Sequence, residues 1–166
     1  MLEPINDYVE SLGRTHGRDI PIIDPMFGGV EASVLLVLRQ PGPKGAAKTG
    51  KLSLDSPDRA AGALGLRLKE AGLMPCHVAV WNIIPWTPSG PLKSPSDREL
   101  VEGAHCLQEL LPILTKPRLA VVLMGGTPAK RENTWNGQNG FGCLRAPVQR
   151  RRKALSQNLK RRSFEH

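Results

Sequence analysis

The hydrophobic positions fall into short unbroken runs separated by segments with helical spacing. Val34-Leu35-Leu36-Val37-Leu38 is apolar throughout, and its length and Val/Leu content predict a strand buried on both faces, as in a parallel sheet. His77–Ile84 and Arg118–Met124 have the same character and predict a second and a third strand. Between the first two, Ser56-Pro57-Asp58 predicts a helix start, with Ser56 as cap, Pro57 in the first helical position and Asp58 complementing the dipole. Leu64, Leu68 and Ala71 supply the apolar face of that helix, and Gly72 ends it. Ser96-Asp97-Arg98-Glu99 is a capping box. The helix it opens carries Val101, Ala104, Leu107, Leu110, Leu111 and Leu114, with Pro112 shortening its last turn. Residues 1–32 are broken by Gly13, Gly17, Pro21, Pro25, Gly28 and Gly29 and predict irregular chain with a short helix around Asn6–Leu12. Asn136-Gly137 and Asn139-Gly140 are turn signals, after which Phe141–Leu144 predicts a very short fourth strand.

Strands and helices therefore alternate, with connections long enough for right-handed crossovers. The expected fold is α/β, a three-layer α/β/α arrangement around a small, mostly parallel four-stranded sheet. Residues 1–147 form the expected α/β domain, and 148–166 a basic C-terminal helix or tail. Ligand sites of such sheets lie at the carboxyl ends of the strands, here the loops Arg39–Gly45, Pro85–Pro95 and Gly125–Thr127.

Charge adds a second feature. Residues 1–132 hold 15 Lys/Arg and 14 Asp/Glu, whereas 133–166 hold 8 Lys/Arg and the single acid Glu165, so that +7 of the net +8 sits in the last fifth of the chain. A basic block of this kind suits a polyanion such as nucleic acid, or equally a solvated tail. No apolar run approaches the roughly 20 residues that cross a bilayer, and Met1–Asp7 has no signal-peptide core. A cytoplasmic monomer without membrane contact is expected. Cys76, Cys106 and Cys143 are widely spaced and odd in number, and the four histidines show no ligand spacing. Buried free thiols, no metal and no cofactor are the expectation. Neither a G-x-G-x-x-G turn after a strand nor a phosphate-binding G-x-x-x-x-G-K-[ST] loop is present, which weakens a nucleotide-dependent enzyme as a reading.

Three segments together resemble the uracil-DNA glycosylase superfamily. Val34–Leu38 followed by Arg39-Gln40-Pro41-Gly42-Pro43 resembles its first motif, where the strand ends in G-E-A-P-G or G-M-N-P-G. Val80-Trp81-Asn82-Ile83-Ile84-Pro85-Trp86 resembles its second strand, and Val121–Met124 with Gly125-Gly126-Thr127-Pro128 its third strand and turn. They stand in the family's order at about its spacing, over roughly residues 20–131.

The resemblance implies a monofunctional hydrolase of DNA repair. Such an enzyme flips a uracil or related damaged base out of the duplex and hydrolyses its N-glycosidic bond with an oriented water. Asn82 matches the base-reading residue, since an amide offers the donor and acceptor that a pyrimidine edge requires; the alternative is an amide that satisfies backbone at a strand end. Gln40 stands at the water-holding position, and Arg39 stands where one branch has Glu. Neither can act as a general base at neutral pH, but Gln40 can orient a water. Pro41 and Gly42 would shape the base pocket. The family's stacking aromatic is not evident after the first motif, and Trp86 is the substitute candidate. The late His-Pro-Ser is absent, with Ala146-Pro147 in its place, so the donor to the leaving base is missing and activity is expected to be weak. Lys44, Arg150, Arg151, Arg152 and Lys153 are the expected phosphate contacts. A catalytically inactive nucleic-acid-binding domain on the same scaffold is the alternative.

Overall fold

The computed structural model describes residues 1–90, 94–116 and 119–124, together with the backbone of 143–146. Its elements in chain order are α1 (Glu3–His16), β1 (Ile22–Ile23), β2 (Val34–Leu38), α2 (Ala46–Thr49), β3 (Lys51–Leu52), α3 (Arg59–Glu70), β4 (Val78–Asn82), α4 (Asp97–Leu110), β5 (Ala120–Met124) and β6 (Cys143–Ala146). The main sheet has the order β4-β2-β5-β6 with every pairing parallel. β1 and β3 form a separate two-stranded parallel pair. The expected α/β fold with its four-stranded sheet is therefore present.

The topology places the helices. From β2 the chain steps to β4 on one side, then returns past β2 to β5 on the other. Right-handed crossovers in opposite directions put their helices on opposite faces. α3 accordingly covers the face of Val80 and Asn82, where Leu64 meets them around one cavity. α1 and α4 cover the other face, where Tyr8 packs on Trp81 with ring centroids 6.0 Å apart. The Tyr8 hydroxyl also donates to the Cys106 carbonyl at 2.8 Å and to Glu109 Oε2 at 3.0 Å, tying α1 to α4. β4 is buried along its whole length, as a strand between two helical layers must be.

The helix ends follow local chemistry. The capping box of α4 is complete: the Glu99 N–H donates to Ser96 Oγ at 3.3 Å and the Ser96 N–H to Glu99 Oε2 at 2.8 Å. The Ser96 hydroxyl, then its N–H, holds the Glu99 carboxyl below its ordinary range. Pro112 falls in a short 3-10 turn, Leu111–Ile113, where α4 stops. At α3 the cap is Asp58 rather than Ser56, with the Ala61 N–H donating to Asp58 Oδ1 at 2.7 Å. Pro57 thus precedes the helix instead of opening it. Gly72 takes the left-handed turn (φ +66°) that closes α3. α1 is longer than the sequence predicts because Ile5, Val9 and Leu12 form a buried stripe. Cys106 is buried, but Cys76 is exposed, which corrects the expectation of uniformly buried thiols. Burial, reinforced by Glu109 and Glu102, pushes the Cys106 thiol up to about 12. That makes it inert at neutral pH.

Gly103 lets α4 approach the chain at the end of β4 closely. A Cβ there would meet the Ile83 carbonyl oxygen at 1.7 Å. Gly103→Ala forces the helix off the end of β4, and a loss of about 1–3 kcal/mol is expected. Urea unfolding reads it as a lower midpoint with unchanged slope. Among the described residues no helix is long and apolar enough to cross a membrane.

Candidate functional site

The carboxyl ends of β2 and β4 lie side by side, with Leu38 paired to Asn82. The register continues beyond the strands, the Ile83 N–H donating to the Leu38 carbonyl at 2.8 Å and the Ile84 N–H to the Arg39 carbonyl at 3.0 Å. The loop leaving β2 is thereby anchored through Arg39 before Pro41 turns it away. Asn82 is the last residue of β4 and points to the α3 face, opposite Trp81.

On that face lies a cavity of about 210 Å³. This is smaller than the roughly 300–1,000 Å³ of drug-sized sites, a volume that suits one heterocycle. Gln40, Pro41, Gly42 and Asn82 all line it, so four of the five pocket residues singled out in the sequence share one cavity wall, and Trp86 does not. Asn82 is 2 % exposed, the only polar side chain buried to that degree among the described residues. Its Nδ2 has no hydrogen-bond partner among them. An unpaired buried amide costs about 1–3 kcal/mol, and a ligand edge with an acceptor would recover that cost.

Two further lining residues were not among the site residues expected from the sequence. Phe27 is buried and is the one aromatic among the described residues around this cavity. A turn holds it: the Met26 N–H donates to Asp24 Oδ1 at 2.9 Å and the Phe27 N–H to the Asp24 carbonyl at 3.0 Å. Gly28 then bonds the Val78 carbonyl at 2.7 Å, where a Cβ would come within 2.6 Å of the Cys76 carbonyl oxygen. Asp58 is the other. One carboxylate oxygen caps α3, and Oδ2 lies so close to the β2–α2 loop that a Cβ on Gly45 would meet it at 1.7 Å. The glycine of Pro43-Lys44-Gly45 is the sequence trace of that contact.

Asp24 also has an electrostatic role in the turn. The Met26 N–H, followed by the Ser53 hydroxyl and Lys51, holds its carboxyl below the ordinary 3.8, against the opposing effect of burial. A depressed pKa contributes stability above the ordinary value and loses it as pH falls through the folded one. Asp24→Asn keeps an acceptor for Met26 but no charge. The variant is expected to be less stable than wild type at neutral pH, with the gap in urea midpoint narrowing below pH 3.8.

Trp86 stands apart from Asn82. It is 4 % exposed, with the Arg18 guanidinium 4.3 Å over its ring and the His16 ring stacked at 6.3 Å. Glu102 binds both of these side chains, at 3.0 Å from His16 Nδ1 and 3.3 Å from Arg18 Nη1. Trp86 faces a neighbouring cavity of about 410 Å³ that shares Gln40 as a wall. Lys44 is exposed on the β2–α2 loop. Arg150, Arg151, Arg152 and Lys153, and the loop Gly125–Thr127, lie outside the described residues. No group of three potential metal-ligating side chains occurs among the described residues.

The arrangement is that of a doubly wound α/β protein with a small, amide-bearing pocket at the carboxyl ends of its strands. The family model of the uracil DNA glycosylase superfamily matches residues 25–161, most of the chain, and the protein belongs to that superfamily. No curated protein matches it.

Proposed function

We propose that the protein is a uracil-type DNA glycosylase that takes a flipped-out uracil, or a related damaged pyrimidine, into the Asn82 pocket and hydrolyses its N-glycosidic bond. The observation that carries this reading is the buried amide of Asn82, unpartnered among the described residues, in a cavity of single-ring size within the family's fold. Asn82 donates to and accepts from the base edge. Phe27 stacks on the base, in place of Trp86, whose ring is occupied by Arg18. Gln40 orients the attacking water, and the Asp58 carboxylate stabilises positive charge that develops on the sugar. Pro41 and Gly42 let the backbone approach the base closely.

The test is release of free uracil from a single-stranded oligonucleotide carrying one uracil, with a thymine oligonucleotide as control. Release from the uracil strand alone is expected. Salt-sensitive binding without release would favour the alternative, a nucleic-acid-binding domain without catalysis. That alternative is favoured by the absence of a carboxylate at positions 39 and 40 and of the late His-Pro-Ser.

A further inference from the structure

Cleavage of the glycosidic bond separates charge in a defined way. The C1′–N1 bond breaks and its electron pair stays on N1 of the base. A water oxygen bonds to C1′ and gives up a proton to solvent, and the departing base anion takes up a proton from solvent. An anion formed in a partly buried pocket needs a positive partner there, because water cannot supply the compensation.

The cavity offers one permanent cation. Among the described residues that line it, Arg39 is the only basic side chain, Asp58 the only acidic one, and none is histidine. Arg39 is half-buried, and its Nε donates to Gln40 Oε1 at 3.3 Å. Its Cα is fixed, because the Ile84 N–H binds its carbonyl at 3.0 Å and extends the β2–β4 register by one residue. The guanidinium is thus held at the lip of the base pocket on a backbone that the sheet makes rigid. The acidic group is placed differently, with one oxygen committed to capping α3. The other carboxylate oxygen lies against the β2–α2 loop at Gly45, so the cavity wall carries one charge of each sign.

We propose that Arg39 stabilises the negative charge on the departing base. This rests on the glycosylase reading above and adds which group serves the leaving base. An arginine at this position excludes deprotonation of water as its role but suits stabilisation of an anion. The same residue type that argues against base catalysis at the first motif thereby gains a function on the other side of the bond being broken.

The experiment compares single-turnover release of uracil and of 5-fluorouracil from otherwise identical oligonucleotides by wild type, Arg39→Met and Arg39→Lys. Fluorine withdraws electrons and stabilises the departing anion, so its release depends less on a cationic partner. Arg39→Met is expected to slow uracil release by about 10²–10³-fold, the usual effect of removing one donor to a developing anion. Release of 5-fluorouracil should slow by no more than about a tenth of that factor, and Arg39→Lys should restore part of the uracil rate. Equal slowing on both bases would mean a structural or phosphate-contact role and overturn the proposal, as would an unchanged rate. Wild type that releases neither base would remove the glycosylase reading itself and this proposal with it.

Discussion

Asn82→Ala is expected to lower uracil release by at least about 10²-fold, the scale on which a single hydrogen-bonding group aimed at the reacting base acts, without lowering stability. The two halves of this expectation have one cause. In the free protein Asn82 is buried with its Nδ2 unpartnered among the described residues, so alanine breaks no Nδ2 hydrogen bond among them. The space it leaves is continuous with the cavity, where water can enter. Urea unfolding should give a midpoint equal to or above wild type while the oligonucleotide assay loses its product. A residue that only satisfied backbone at a strand end would behave in the opposite way: its removal would weaken the fold and spare release. An Asn82→Ala protein that unfolds more readily and still excises at the wild-type rate would dispose of the base-reading role.

Phe27→Leu is expected to raise KM for the uracil oligonucleotide by about 5–150-fold, equivalent to the 1–3 kcal/mol that stacking of a base on an aromatic ring contributes. Leucine keeps most of the buried apolar volume, so the cost to stability should stay below about 1.5 kcal/mol. Truncation to alanine would cost about 3–5 kcal/mol and confuse the two effects. The measurement is a KM-against-kcat comparison on single-stranded substrate, where no duplex must be opened. A stacking ring acts on the bound base as well as on the transition state, so KM should move more than kcat. If neither parameter changes, the ring is core and not platform.

The main sheet and its two long helices are legible in the residues because each carries a local signal that burial then reinforces. Val34–Leu38 reads as a doubly buried strand and is one, and Ser96-x-x-Glu99 forms the capping box it spells. Asn82, Gln40, Pro41 and Gly42 are readable as neighbours because a parallel register brings successive strand ends together. Phe27 is not readable in this way. It sits in a segment without periodicity, and its place depends on the Asp24 turn and on the bond from Gly28 to Val78, fifty residues along the chain. The two-residue strands β1 and β3 are too short to leave a period. Ser56 and Asp58 have nearly equal intrinsic capping preference; the fit of the Asp58 carboxylate against Gly45, a tertiary contact, decides between them. Trp86 is close to Asn82 in sequence, but two residues along from Ile84 the chain has crossed into the neighbouring cavity, where Arg18 and His16 claim the ring.

The β1–β3 pair ties together two segments that meet at the cavity wall. The Ile22 N–H binds the Gly50 carbonyl and the Asp24 N–H the Leu52 carbonyl, each at 3.0 Å, so the strand that leads to Phe27 is clasped to the segment that carries Leu52 and Ser53, also on the cavity wall. Two segments of the cavity wall are thereby stapled together by main chain alone, independent of side-chain identity. Substitution of Leu52 or Ser53 can therefore change what lines the cavity while the spacing of these two segments stays set by the backbone.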